Sequence, residues 1–446
     1  MHARVSGLLT PFRRRGWMWL LVLAVAPLSM ALTCAAVALL SGQPLAAALD
    51  AVTLRFLPQP FRGLAVVGYA SVLAAVALHQ YEHDARSAAA RVQGVPVQYP
   101  AEAAPAEPES PRRIVTIGGG HGLSTLLRGL KNRCDELTAI VTVADDGGSS
   151  GALRRGMGML PPGDLRRCIA ALADAEPLMT QLFQYRFGRG TGLDGHTFGN
   201  LFIAAMAGIT GDFESAIGES SRVLAVRGRI LPSSLEDLVL CAEVRDLRAP
   251  DAAPHVLVGE SAIGHADGLI ERVFLQPEQA KGYPAAIQAL LSADLIVLGP
   301  GSLYTSILPN LLVPDIAAAV RASAAYKIYV CNVATQPGET DGYTVGDHVR
   351  ALQTHLGAGL CHCVLANGNH QIDLPPASHS AMVRPEFEGC AGCELVLEDL
   401  VDQHLPWRHD SARLADALFR LYGDWCVARR SSPDPSWDPL TLSSLR

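Results

Sequence analysis

Five glycine-rich turns between Gly118 and Gly301 hold the residues best suited to chemistry. They read Gly118-Gly119-Gly120-His121-Gly122, Asp145-Asp146-Gly147-Gly148-Ser149-Ser150-Gly151, Pro161-Pro162-Gly163-Asp164, Gly195-His196-Thr197-Phe198-Gly199-Asn200 and Gly299-Pro300-Gly301-Ser302. Each follows a segment that reads as an apolar strand. Glycine permits close backbone approach, so successive N–H groups can converge on an anion. Turns of this kind suit a nucleotide or a sugar phosphate.

The first turn precedes a helical pattern, where unpaired first-turn N–H groups and the helix dipole favour an anion. Taken alone it is also an ordinary strand-to-helix turn, and the dinucleotide fingerprint GxGxxG is not completed. The fifth turn repeats the design after a second strand. Asp145 and Asp146 follow a strand directly. They can cap the glycine turn and face solvent, or accept ribose hydroxyls, or hold a hard cation such as Mg²⁺. His196 and Asn200, four residues apart beside Gly195 and Gly199, sit at an expected helix entrance, where both can reach a ligand.

These groups need elements to hold them. Strands are expected at Ile114–Ile117, Leu137–Val143, Val256–Val258, Asp294–Leu298, Lys327–Asn332 and Cys363–Leu365. Helices are expected at Ser124–Lys131, with Ser124 as N-cap, at Leu165–Ala173 and at Leu201–Met206. Apolar strands interleaved with helices imply an α/β, Rossmann-like domain with a mostly parallel sheet covered on both faces. Ligands then bind beyond the carboxyl ends of the strands, where the first, second and fifth turns fall.

The front of the chain is different. Trp17 to Leu40 contains no charged residue, and in Gly63 to Tyr81 only His79 titrates. Each run is long enough to cross a bilayer core of roughly 30 Å as a helix. A cleaved signal peptide is the competing reading of the first run, countered by its length and by the second run close behind. Arg4, Arg13, Arg14 and Arg15 precede the first run, and Arg86 and Arg91 follow the second. A membrane hairpin over 1–82 with both ends in the cytoplasm is expected. A proline-, alanine- and glutamate-rich linker (83–111), a domain over 112–430 and a tail (431–446) complete the organisation.

Ten cysteines are scattered, one of them inside the first apolar run, which argues against a disulfide framework. Cys361, His362, Cys363, Cys390 and Cys393 leave open a structural zinc or ordinary thiols, and the role of Cys390 and Cys393 is not specified. The formal net charge of −7 and the lack of a basic run beyond the membrane flank exclude nucleic acid as an expected partner.

Six blocks in order, IVTIGGGHGLSTLLRGLK, TVADDGGSSGALRR, GMLPPGDLRRCIAALAD, LDGHTFGNLFIAAM, ADLIVLGPGSLYTSILPNLLVP and CNVATQPGETDGYTV, resemble the YvcK family of gluconeogenesis factors, related to the CofD-type phospholactyl transferases. The resemblance spans Arg112 to about Gly423. It implies binding of UDP-N-acetylglucosamine and a role in carbon-source-dependent cell shape and envelope synthesis. It would place Gly119, Gly120, His121 and Gly122 on the nucleotide, with Asp145 and Asp146 beside the ribose or an Mg²⁺ ion. Gly147, Ser149, His196 and Asn200 would line the pocket, and Gly299, Gly301 and Ser302 would hold a second anion position.

The primary functional reading is a membrane-anchored, cytoplasmic UDP-sugar-binding regulator without turnover, requiring no cofactor. The alternative is an Mg²⁺-dependent transferase using a nucleotide diphosphate donor. A nicotinamide-dependent oxidoreductase is disfavoured by the incomplete fingerprint. No serine–histidine pair is recognisable in the sequence, which favours binding without turnover. Assembly as a homo-oligomer stays open.

Overall fold

The computed structural model describes residues 110–431, apart from residues 175–176, 191, 250, 373, 376–377, 389 and 391. All belong to one compact unit of the chain. The expected membrane spans at 17–40 and 63–81, and the tail beyond Ser431, lie outside the described residues. Among the described residues no single helix is long and apolar enough to cross a membrane.

Short runs of Ile, Val and Leu become strands covered on both faces. β1 (Arg113–Gly118) is buried after its first residue. α1 (Gly120–Leu130) crosses over it and buries Leu123, Leu126, Leu127 and Leu130, one stripe at helical spacing. β2 (Glu136–Val141) is likewise buried after Glu136. Five helices follow: α2 (Gly148–Met157), α3 (Gly163–Leu172), α4 (Pro177–Gln184), α5 (Phe198–Thr210) and α6 (Phe213–Val223). They lead to β3 (Arg229–Pro232).

β4 (Val239–Arg245), β5 (His255–Val258), the single turn α7 (Glu260–Ile263) and β6 (Leu269–Gln276) form a separate excursion. The three strands make an antiparallel sheet in the order β5-β4-β6. α8 (Pro284–Ser292), opened by proline, returns the chain to β7 (Leu295–Leu298). A π-helical turn over Leu303–Ile307 precedes α9 (Leu308–Leu311) and α10 (Pro314–Ala322). After β8 (Tyr326–Val330), α11 (Val345–Leu356) starts with a capping box between Thr344 and Asp347. β9 (Cys363–Asn367), β10 (Glu394–Glu398) and α12 (Ser411–Ser431) complete the domain, with α12 packed on α1.

The large sheet runs β10-β9-β8-β7-β1-β2-β3, and every pairing in it is parallel. From β1 the chain winds outward through β2 to β3, and from β7 it winds the other way to β10. The reversal therefore falls between β1 and β7. In an open parallel sheet this switch point leaves a crevice beyond the strand ends, where ligands bind.

The α/β class and the parallel sheet are as expected from the sequence, with four corrections. Val256–Val258 lies in β5 of the small antiparallel sheet, because that segment is too exposed to belong to a doubly covered sheet. α1 begins at Gly120 rather than Ser124, so Ser124 is not a cap; its hydroxyl donates to the His121 carbonyl one turn back. The third and fourth glycine turns follow helices, not strands, and each opens another helix. β3, β4, β6 and β10 were not anticipated.

Asp294 ties the start of β7 to the start of β1. Its Oδ2 accepts from the main-chain N–H of Arg112 (3.2 Å) and Arg113 (2.9 Å), and its Oδ1 from Arg113 Nη2 (3.0 Å). Partial burial raises this carboxyl, but the bonds from Arg113 and Arg112 outweigh that and hold it below the usual carboxylate range. A depressed folded-state value contributes stability above the unfolded value, about 3.9, and that stability is lost as pH falls through the folded value. Asp294→Asn is therefore expected to melt lower than the native domain near neutral pH, with the gap closing under acid. Melting curves taken from neutral pH down to acid check this, and a gap that does not change with pH would contradict it.

Candidate functional site

The two glycine turns at the switch point lie against each other. An ideal Cβ on Gly122 would stand 2.6 Å from the Pro300 carbonyl oxygen and 2.8 Å from Gly301 Cα. Only a residue without a side chain allows this approach. Asn310, fully buried in α9, joins the two: its Nδ2 donates to the Gly118 carbonyl (2.9 Å) and to that of Ser306 (2.7 Å). Gly301 N–H donates to Asn332 Oδ1 (3.3 Å), which sits just past β8.

Above these turns opens a cavity of about 360 Å³. Its floor is Gly119, Gly120, His121 and Gly122 from the first turn, Pro300, Gly301 and Ser302 from the fifth, and Thr305 and Ser306 from the π-helical turn that follows it. Asn332 to Pro337 and Ser380 form one wall, and Trp407, Arg408 and His409 another. The first N–H groups of α1, whose opening residues line this space, have no partner within their own helix and no side-chain cap. Partial desolvation, with Arg167 and Arg408 nearby, pushes the His121 imidazole down to about 4, so it is neutral at neutral pH. His409 is fully desolvated and also lowered to about 4; its Nε2 donates to the Cys331 carbonyl at 3.1 Å.

An acidic wall stands below. Asp164 is buried, receives Arg167 Nη1 at 2.5 Å, and its Oδ2 would lie 2.4 Å from a Cβ at Gly119. Desolvation raises Asp145, and the Asp164 charge adds to this against the bond from Gly147. Glu260 in α7 is raised well above the carboxylate range by desolvation and then by Asp145, Asp164, Glu339 and Asp146; its Oε2 is shut from solvent with no hydrogen-bond partner. Glu339 is raised by desolvation while accepting from the Ser302 and Thr305 hydroxyls.

The two aspartates take different partners. Asp145 Oδ1 accepts from Gly147 N–H at 2.8 Å and so caps its own turn. Asp146 Oδ1 instead accepts from Ser261 N–H (2.8 Å) and Ser261 Oγ (2.6 Å), which fastens the second turn to α7. Each carboxylate thus has one oxygen engaged by the protein, Asp145 by its own turn and Asp146 by α7. Among the described residues no three His, Cys, Asp or Glu side chains gather as a metal site, and this includes the cysteines. The Cys361 and Cys393 thiols are hydrogen-bonded to each other, and Cys390 donates to the Gly346 carbonyl at 3.6 Å.

Of the expected site residues, the cavity brings together Gly119, Gly120, His121, Gly122, Gly301 and Ser302. Gly299 belongs to the sheet end, its N–H donating to Ile117. Ser149, His196 and Asn200 form a second, adjoining cluster. Ser149 Oγ contacts His196 Nδ1 at 3.1 Å and accepts from Asn200 Nδ2 at 3.0 Å. A serine–histidine pair thus exists, formed by residues 47 apart in sequence. Sequence reasoning missed Trp407, Arg408, Asn332 and the 335–337 wall. Asn332 and the 335–337 wall did carry a signal, lying in the block CNVATQPGETDGYTV just past the strand next to β7; Trp407 and Arg408 carried none.

A parallel doubly wound sheet with glycine turns at its switch point is a Rossmann-like α/β domain. Residues 114–401 match the family described as 2-phospho-L-lactate transferase CofD. The chain is 53% identical over 316 residues to a gluconeogenesis factor of Bacillus subtilis, covering 69% of this chain and 98% of that protein. It is 50% identical over 269 residues to a gluconeogenesis factor of Halalkalibacterium halodurans, covering 60% of this chain and 81% of the other. A solved UPF0052-family structure from Bacillus halodurans superposes with a TM-score of 0.63 at 44% identity, covering 69% of this chain and 98% of that one. The chain belongs to the CofD family, among the gluconeogenesis factors of the YvcK/UPF0052 group. That solved protein consists of little besides the matched domain.

Gly122 and Gly156 give opposite expectations. Gly122→Ala should cost about 1–3 kcal/mol, because the Pro300 carbonyl must move. Gly156, in α2 with nothing within 4 Å of its Cβ position, should gain up to about 1 kcal/mol as alanine. Denaturant unfolding of both variants checks this, and equal effects would contradict the close packing of the turns.

Proposed function

We propose that this chain is a membrane-anchored regulator whose cytoplasmic domain binds UDP-N-acetylglucosamine, or a related UDP-sugar, without turning it over. The observation that carries the reading is the pair of glycine turns meeting at the switch point under one cavity. Two sets of backbone donors suit the two phosphates of a nucleoside diphosphate. Arg408 on the wall supplies a cation for their charge. Trp407, 36% exposed, offers an aromatic face to the uracil or the sugar. The membrane anchor rests on the two apolar runs before residue 82. The role in carbon-source-dependent cell shape and envelope synthesis rests on the family resemblance.

A transferase using a nucleotide diphosphate donor is the second reading. The observation in its favour is the Ser149–His196 contact beside the acidic wall, together with the family's transferase name. In it, Mg²⁺ would come with the diphosphate and be balanced by the carboxylates below. The domain carries no pre-formed three-ligand site for it among the described residues.

Calorimetric titration of the domain over residues 110–431 separates these readings. UDP-N-acetylglucosamine is expected to bind and NAD is not. Arg408→Ala, which removes a charge-assisted bond, should weaken binding by about 1.5–3 kcal/mol, roughly tenfold to a hundredfold. Incubation with UDP-N-acetylglucosamine and Mg²⁺ should leave the nucleotide unchanged by chromatography. The full chain should sediment with membranes and be released only by detergent. Binding of NAD alone would overturn the first reading, and a new nucleotide product would replace it with the second.

A further inference from the structure

The Ser149–His196 contact is the outer end of a hydrogen-bond chain that starts at Arg166. That arginine is 6% exposed and has donors only; its Nε donates to Asn200 Oδ1 at 2.9 Å. The contact decides how the Asn200 amide lies. Its oxygen must face Arg166, so its Nδ2 faces the other way and donates to Ser149 Oγ at 3.0 Å. Asn200 and Ser149 are both buried, so water does not compete for these bonds. With Asn200 donating into it, the Ser149 hydroxyl keeps its own proton to give away. Among the described residues the remaining acceptor in contact is His196 Nδ1, at 3.1 Å. The reverse arrangement, with Nδ1 protonated, would aim two donors at Ser149 and strand its proton in a buried place.

We infer that Arg166 is a positioning residue that fixes His196 as its Nε2–H tautomer, acting through Asn200 and Ser149, and that this Nε2–H donates to an oxyanion of the bound ligand. Nε2 has no partner among the described residues, and the ring is partly exposed. The surroundings favour an anion. Arg186 binds the carbonyl of Gly195, just before the histidine, and α5 begins two residues after it, so the positive end of that helix's dipole lies beside the ring, although its Phe198 and Asn200 N–H groups are already bonded to the Tyr185 carbonyl and Thr197 Oγ1. Arg167 stands on the neighbouring α3. A phosphoryl or carboxylate oxygen fits this combination of cation, helix terminus and oriented imidazole.

The second half of this inference rests on the ligand being the anionic nucleotide sugar proposed above, whereas the tautomer is a property of the free protein. Long-range proton–nitrogen correlation of the ¹⁵N-labelled domain, at a pH of about 8, well above the ordinary imidazole value, reads both. His196→Gln assigns the ring signals. The native domain is expected to give an unprotonated Nδ1 and a protonated Nε2. Asn200→Asp keeps the shape and still accepts from Arg166, but it cannot donate to Ser149. The hydroxyl then turns to the carboxylate, and the ring signals shift toward a tautomer mixture. Ser149→Ala should release the ring in the same way without touching Arg166, which keeps the test valid if Asn200→Asp fails to fold. Added UDP-N-acetylglucosamine, or inorganic phosphate at saturation, should move the Nε2 signal in the native domain. Its affinity should fall about tenfold in Ser149→Ala. A protonated Nδ1 or an even mixture in the native domain would overturn the positioning role. A locked ring whose Nε2 signal ignores both probes would overturn the donor role. Calorimetry showing no UDP-sugar binding, with the ring still locked and answering phosphate, would remove the proposed ligand and leave this inference standing.

Discussion

The carbonyl of Pro300 occupies the space a side chain at position 122 would need. That contact sets the distance between the ends of β1 and β7, and much else follows from it. The strands must be adjacent and parallel for their turns to meet, and the sheet order puts them side by side at the reversal of winding. Asn310 must reach back to Gly118, which requires the irregular turn after Ser302 and the short α9. The cavity is what remains above two turns that cannot be pulled apart without losing these bonds. Its walls come from segments far along the chain, at 332–337 and 407–409.

Electrostatics divides the site into two levels. The upper level is neutral or cationic: two glycine turns, a neutral His121 and Arg408. The lower level holds Asp145, Asp164, Glu260 and Glu339, close enough together and dry enough that Asp145, Glu260 and Glu339 are pushed up. In the proposed reading, an anionic ligand would be attracted by the first level and repelled by the second, which would hold a diphosphate at the turns rather than draw it deeper. Protonation of the raised carboxylates, or a cation arriving with the ligand, reduces the repulsion. The Ser149–His196 cluster is tied through Asn200 to Arg166, and Arg167 and Arg186 lie close enough to that arginine to act on it, so positive charge gathers there.

How far the sequence reveals this site depends on how local each interaction is. β1, β2 and β7 with their glycine turns could be read, because a buried strand followed by glycines is a local pattern and the switch-point rule supplies the rest. β3 could not be distinguished from a loop at four residues, and β4 and β6 alternate too irregularly around a bulge at Glu243 and Val244. Asp145 and Asp146 look alike in sequence, yet one caps its own turn while the other crosses to Ser261, 115 residues away. Ser149 and His196 meet only because α2 and α5 bring their N-termini together, a tertiary fact with no sequence signal. Arg408 and Trp407 precede α12 without any glycine turn to mark them.

The central claim is that one ligand's diphosphate is held by both glycine turns at once. A crystal structure of the domain with UDP-N-acetylglucosamine tests it most directly. The account predicts diphosphate oxygens roughly 3 Å from main-chain nitrogens of both turns, at Gly120 to Gly122 and at Gly301 or Ser302. The uracil or sugar should then lie toward Trp407. A diphosphate bound to one turn only, or to neither, would contradict it.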